Sequence, residues 1–203
     1  LLSSMVPARE RWRLYPSFAG EAGFLDVETD GGDVVTAVGI LDREGPRIFV
    51  RGRDLEAFPS ATARWKLVVT YNGASFDLPM LRRAFPDWRP PPAHVDLRHV
   101  WARLGHHGGL KILEERVGIR RPSRLAGLGG WDAVVLWRRH LEGDRAALRL
   151  LAEYNLHDAV NLRALMDLGY NRLVERVGMP AEALPVSPRG DVLADVGRRV
   201  LEL

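Results

Sequence analysis

Four acidic residues in three separated stretches of this chain have the types and spacing for metal-assisted chemistry. Asp26 and Glu28 are two positions apart, so on a strand both side chains point to one face. They end the apolar run Phe24-Leu25-Asp26-Val27-Glu28, and the C-terminal end of a strand is where ligands bind in α/β sheets. Two like charges side by side there are costly unless a cation compensates them. Asp77 follows a second apolar run and a Tyr71-Asn72-Gly73 turn, and Asp158 lies in a helical pattern with Tyr154 four residues earlier on the same face. Singly, each has a plainer reading: exposed turn acids for Asp26 and Glu28, a first-turn helix acid for Asp77, and an amphipathic border residue for Asp158. Gathered together, only a hard cation makes them tolerable. The chain has no cysteine, so ligation is by oxygen and points to two divalent cations, Mg²⁺ or Mn²⁺. Such a site best serves phosphodiester hydrolysis, with ions ~3.5–4 Å apart stabilising the attacking and leaving oxygens.

The elements that must bring these acids together are legible in outline. Apolar and β-branched runs predict strands over residues 23–28, 34–41 and 47–51, joined by short turns as an antiparallel meander, and further strands over 66–71 and 94–97. Helical patterns cover 81–84, 110–117, 133–141 and 146–168, and a weaker one over 54–64 is interrupted by Pro59. Residues 120–130 are a Pro/Gly/Arg-rich loop, expected to be mobile. The fold class is therefore α/β, a mixed central sheet of about five strands flanked by helices. The expected domain spans residues 22–168, with an N-terminal extension over 1–21 and a C-terminal helical extension over 169–203 packed on it.

Composition sets bounds on partners. With 46% hydrophobic and 27% charged residues the chain is ordinary for a globular protein. No run approaches the ~18 apolar residues that span a bilayer, so no membrane partner is expected. Leu1-Leu2-Ser3-Ser4-Met5 lacks the basic and apolar regions of a secretory signal; with no cysteine, a cytoplasmic monomer is the expectation. The net charge of +3 permits a nucleic-acid partner without demanding one.

Three blocks together resemble the DEDD superfamily of 3′→5′ exonucleases, which have a ribonuclease H-like fold. They are Phe24-Leu25-Asp26-Val27-Glu28-Thr29, then the stretch from Tyr71-Asn72-Gly73 through Phe76-Asp77-Leu78, and Tyr154-Asn155-Leu156-His157-Asp158. The same blocks are similar to those in proofreading domains of family B DNA polymerases. A nearer likeness is to the YprB-like family, where His94-Val95-Asp96-Leu97, Leu110-Lys111 with Glu114, and Val134 with Leu136-Trp137 also have counterparts. Position 153 is Glu and 154 is Tyr, so the chain resembles the branch with a tyrosine four residues before the last acid. His157 is not the catalytic histidine of the other branch, since on a helix it points ~100° from Asp158.

The resemblance implies roles. Asp26 would bridge both ions, Glu28 and Asp158 would complete the tighter site, and Asp77 would hold the second ion. Tyr154 would orient the attacking water. Asn72, Phe76 and Thr29 would border the 3′-terminal nucleotide, and Lys111 and Arg121, with Arg120 and Arg124 nearby, would contact phosphates. Asp96 reads as structural, Trp131 and Trp137 as helix-packing residues, and His106-His107 as a loop pair without a metal. The expected partner is the 3′ end of single-stranded DNA or RNA, released as 5′-monophosphates. Two alternatives stand: an endonuclease of the same fold, and a non-catalytic nucleic-acid-binding module.

Overall fold

β1 (Ala22–Thr29) is buried along its length except at half-buried Asp26, the near-continuous burial of a central strand. The structure is a computed structural model that describes residues 5–203; residues 1–4, the start of the expected N-terminal extension, lie outside the described residues. β1 pairs antiparallel with β2 (Val35–Asp42), which pairs antiparallel with β3 (Gly45–Val50). On its other side β1 runs parallel to β4 (Leu67–Thr70), and β4 parallel to β5 (Ala93–Asp96). The order is β3-β2-β1-β4-β5, a mixed five-stranded sheet whose first three strands form the predicted meander.

Alternation along β1 divides the interior. Leu25 and Val27 face a core with Val38, Ile40, Phe58, Val68 and Leu81. Phe24, Asp26 and Glu28 share the opposite face, whose core contains Leu151, Leu156 and Leu165. These last residues belong to a long helix, the fifth of the six α-helices of seven or more residues among the described residues: α1 (Asp77–Ala84), α2 (Leu97–Arg103), α3 (Leu110–Arg116), α4 (Gly130–Leu141), α5 (Arg145–Val177) and α6 (Gly190–Leu201). α5 starts on the Asp144 carboxylate, which accepts from Ala147 N at 3.0 Å, and stops at Gly178 in the left-handed region, φ 61°.

Several boundaries differ from expectation for physical reasons. The helix predicted over 81–84 begins earlier, at Asp77. The pattern over 54–64 splits into a 3₁₀ turn, Leu55–Ala57, and one helical turn, Phe58–Ala61, opened by Pro59. The helix expected to end near residue 168 continues to Val177, because Gly169, Tyr170, Leu173 and Val174 keep an inward-facing side buried. Loop 120–130, expected to be mobile, is anchored by fully buried Leu125 and by ion pairs from Arg121 and Arg124. The segment after α5 is tied back to it. Leu184 exchanges two hydrogen bonds with Asn171, at 2.7 and 2.8 Å. Asp167 accepts from Ser187 N at 2.9 Å and from Tyr15 OH at 2.6 Å, and Val196 and Val200 of α6 are buried.

α5 crosses the sheet where β2 offers a glycine. Gly39 pairs with Asp26, and a Cβ there would lie 2.2 Å from Asn155 Oδ1 and 3.2 Å from the Asn155 carbonyl oxygen. The backbone of α5 cannot retreat without losing the burial of Leu151, Leu156 and Leu162. Gly39→Ala is therefore expected to cost about 1–3 kcal/mol, read as a lower urea midpoint with unchanged slope. An unshifted midpoint would show that helix and sheet are not in close register here.

Candidate active site

Three elements deliver the acids to one place. β1 presents Asp26 and Glu28 on the face that α5 covers, and α5 supplies Asp158 and Tyr154 from one side of the helix. Asp26, Glu28 and Asp158 each offer an oxygen within 4.8 Å of the others'. Asp77, the first residue of α1, stands apart from that trio: its Oδ1 accepts from Val27 N at 3.0 Å, which locks α1 to β1 and leaves Oδ2 for other partners. A register irregularity between Glu28 and Thr29 shifts the pairing of β1 with β2 at this point, Thr29 then lying opposite Val35, as bulges often do beside sites. All four acids and Tyr154 line an open cleft of about 370 Å³ with Thr29, Asn72 and Phe76 among its other walls.

The electrostatics suit a bound cation. Burial, then the charge of Asp158, Glu28 and Asp77, pushes Asp26 well above the usual carboxylate range. Burial, then Asp158 and Asp77, does the same to Glu28. Burial pushes Asp77 to about 7 against its backbone hydrogen bonds, and Asp158 to about 6 against the opposing pull of Arg121. Oxygen donors that repel one another in a water-poor site fit hard divalent cations. Asn155, one turn of α5 from Asp158, donates Nδ2 to Asp26 Oδ2 at 2.6 Å and to the Asp26 carbonyl at 3.2 Å, fixing that carboxylate.

The cationic side chains behave differently from their sequence reading. Arg121 does not reach into solvent: its side chain is 8% exposed, forks onto Glu114 at 2.5 and 2.7 Å and pairs with Asp158. Glu114 also accepts from Asn161 Nδ2 at 3.0 Å, and Asn161 Oδ1 accepts from Arg189 at 3.0 Å. Arg124 is paired with Glu153. Lys111 donates to the Leu128 carbonyl and, at 2.6 Å, to Tyr154 OH; burial lowers its pKa and the nearby acids oppose that. Neither Lys111 nor Arg121 lies free for a phosphate in this arrangement. Burial and the charge of Asp158 raise the Tyr154 phenol, so it stays protonated.

Asn72 and Phe76 both line the cleft. Asn72 has φ 66°, a left-handed position that asparagine tolerates better than most residues. Asp96 holds that turn, accepting from Asn72 N at 2.8 Å and Ala74 N at 3.1 Å, so its role is structural. Phe76 is 39% exposed. Thr29 is buried and its Oγ1 accepts from Gly31 N at 3.3 Å. His157 is buried away from the cleft, with burial lowering it to about 4, and His106 packs edge-on to Trp101 at 5.3 Å. Among the described residues the one carboxylate, histidine or cysteine cluster with metal-ligand spacing is the Asp26 trio. Of the two tryptophans expected to pack helices, Trp137 does so, but Trp131 is 66% exposed and lines the cleft. Sequence reasoning also missed Asn155, Gly39 and the Glu114–Arg121 fork. Asn155 was within reach, one residue beyond Tyr154; the others depend on contacts between distant segments.

The sequence profile described as the RNase_H superfamily matches residues 23–170, most of the chain. The chain belongs to the RNase_H superfamily. Its RNase H-like domain also superposes on the family B DNA polymerase from the hyperthermophilic archaeon Pyrobaculum calidifontis with a TM-score of 0.52 and 18% identity. The match covers 85% of this chain and 26% of that one, so the chain spans about a quarter of the polymerase's length, and the likeness is one of fold. No curated protein matches. Membership and the acid cluster together support a nuclease-type hydrolase acting on nucleic acid. Among the described residues no helix is long and apolar enough to cross a membrane.

Raised carboxylates have a thermodynamic consequence. A carboxyl whose folded pKa exceeds its unfolded value of ~4 stabilises the fold below that value and loses this contribution as pH rises through the folded one. With Asp158 at about 6 and Asp77 at about 7, the ion-free RNase H-like domain loses stability from these groups between about pH 4 and 7. Cations that neutralise the cluster restore it, and compete with fewer protons as pH rises. The increase in thermal midpoint on adding Mn²⁺ is thus expected to be larger at about pH 8 than at about pH 5.5. An equal increase at both, or none, would contradict this account of the cluster.

Proposed function

We propose that this domain is a 3′→5′ exonuclease of the tyrosine branch of the DEDD superfamily, nearest in kind to the YprB-like family. Its substrates would be 3′ ends of single-stranded DNA or RNA, in the cytoplasm. The observation that carries the reading is the convergence of Asp26, Glu28 and Asp158 with Tyr154 in one cleft, from segments more than a hundred residues apart in sequence. The likeness of the three motifs to proofreading domains of family B polymerases, together with the superposition on a family B polymerase, supports the same direction.

The residues present fit two divalent cations, Mg²⁺ or Mn²⁺. Asp26, Glu28 and Asp158 would hold them, joined by the free oxygen of Asp77. When bound, such ions lower the pKa of a water and stabilise the attacking and leaving oxygens of the phosphodiester. The chain's own groups do the positioning. Asn155 fixes the Asp26 carboxylate and Arg121 fixes that of Asp158. Tyr154 OH accepts from Lys111, which leaves its hydroxyl proton to donate toward a water in the cleft. Lys111 therefore orients Tyr154, a different role from the phosphate contact the sequence suggests. Asn72, Phe76 and Thr29 would border the terminal nucleotide, with Phe76 offering an aromatic face to its base.

The test is a linear single-stranded oligonucleotide, labelled at its 5′ end, with Mn²⁺. A ladder of shortened products is expected for the wild type and none for Asp26→Ala or Asp158→Ala. Tyr154→Phe, which loses one hydrogen bond to a polarised water, should slow the reaction roughly 10- to 100-fold. A circular single strand should survive intact. Cutting of the circle would favour the endonuclease alternative, and metal-dependent binding without cleavage of either substrate would favour the non-catalytic one.

A further inference from the structure

Trp131 is a largely exposed aromatic residue of the cleft that the proposed chemistry leaves unused. It is the second residue of α4, held at the cleft because the turn after β1 packs against that helix. Gly31, with φ 94°, sits so close beneath that a Cβ there would lie 3.3 Å from Val134 Cγ1 and 3.8 Å from Trp131 Cζ3. The indole thus stands on the rim above the strand end that carries Glu28, yet 66% of it is exposed. The other five of the six tryptophans are all under 7% exposed. Leaving so large an apolar ring in water beside a charged cleft gains nothing for the fold.

Its surroundings indicate what it takes. Arg138, two turns along α4, places its guanidinium 5.6 Å from the indole centroid, and Val135, between them on the same face, is 40% exposed. Arg138 is exposed, whereas its neighbour Arg139 is paired with Asp144 at 2.6 Å. An aromatic face followed by a guanidinium, continuous with a cleft built to hold a phosphodiester, matches one repeating unit of a single strand: a base on the ring and a phosphate on the arginine. A base inside a duplex has both faces covered by its neighbours and has none to offer such a ring. We propose that Trp131 and Arg138 form a subsite for an unpaired nucleotide of the strand whose 3′ end lies in the cleft. The subsite rests on the nuclease reading above and names the residues that would select an unpaired strand over a paired one.

Because Trp131 is the accessible tryptophan, acrylamide quenching of the intact chain reads this site directly. The probe is a short oligothymidylate with nuclease-resistant phosphorothioate linkages, in Mn²⁺. Saturating oligonucleotide is expected to abolish most of the quenchable emission. By fluorescence anisotropy, Trp131→Ala should weaken its binding about tenfold, the scale of one stacked base, while Trp131→Phe keeps most of the affinity. Blunt duplex should neither shield the indole nor respond to the substitutions. Unchanged quenching, equal affinity in Trp131→Ala, or shielding that grows with protein concentration alone would overturn the subsite, the last by revealing a protein-docking face. A wild-type chain that shows shielding but no 3′ laddering would sink the nuclease reading and leave the subsite standing.

Discussion

Repulsion among buried carboxylates is the constraint around which this structure is organised. Asp26, Glu28 and Asp158 bring like charges within 4.8 Å of one another in a place where burial already disfavours ionisation. Left alone, such a cluster would push β1 and α5 apart. The scaffold resists by making both elements hard to move. β1 is the middle strand, paired on both edges, and α5 is a 33-residue helix whose inward side is buried over nearly its whole length. Strain placed at their crossing is therefore borne by the entire core and not by a loop.

The same constraint explains the cations that surround the acids. Arg121 neutralises Asp158 from behind, and Glu114 holds Arg121 in turn, so the positive charge is itself fixed. Asn161 and Arg189 extend this network to the segment that precedes α6. Lys111 performs the equivalent service for Tyr154. Half of an ion pair buried without the other costs several kcal/mol, so these groups stand or fall together. Their effect is to leave the cleft-facing oxygens of the acids available while compensating charge on the far side.

Much of this was legible in the sequence because local pattern and chemistry coincided. A two-residue spacing at the end of an apolar strand puts Asp26 and Glu28 on one face whatever the rest of the chain does, and a four-residue spacing does the same for Tyr154 and Asp158. The sheet was legible because its strands are short, β-branched and separated by glycine turns. What escaped depends on distance in sequence. Gly39 matters only because Asn155 crosses it, 116 positions later by residue number. Arg121 reads as a loop arginine until Glu114 and Asp158 are brought around it. Trp131 lies just ahead of the helical pattern over 133–141, and the packing of Gly31 against Val134 shows that its end of α4 meets the cleft. The end of α5 was misplaced for a related reason: Gly169, a weak helix former, is needed there because Val100 and Trp101 approach within 3.0 and 3.3 Å of where its Cβ would be.

The central claim is that these carboxylates are gathered to hold divalent cations, and calorimetric titration with Mn²⁺ tests it most directly. The intact chain should bind two ions, and Asp26→Asn, which keeps the shape and the Asn155 contact but removes the carboxylate charge, should lose at least one of them with its thermal unfolding still cooperative. Binding of Mn²⁺ that is absent in the wild type, or equally tight in Asp26→Asn, would contradict the account.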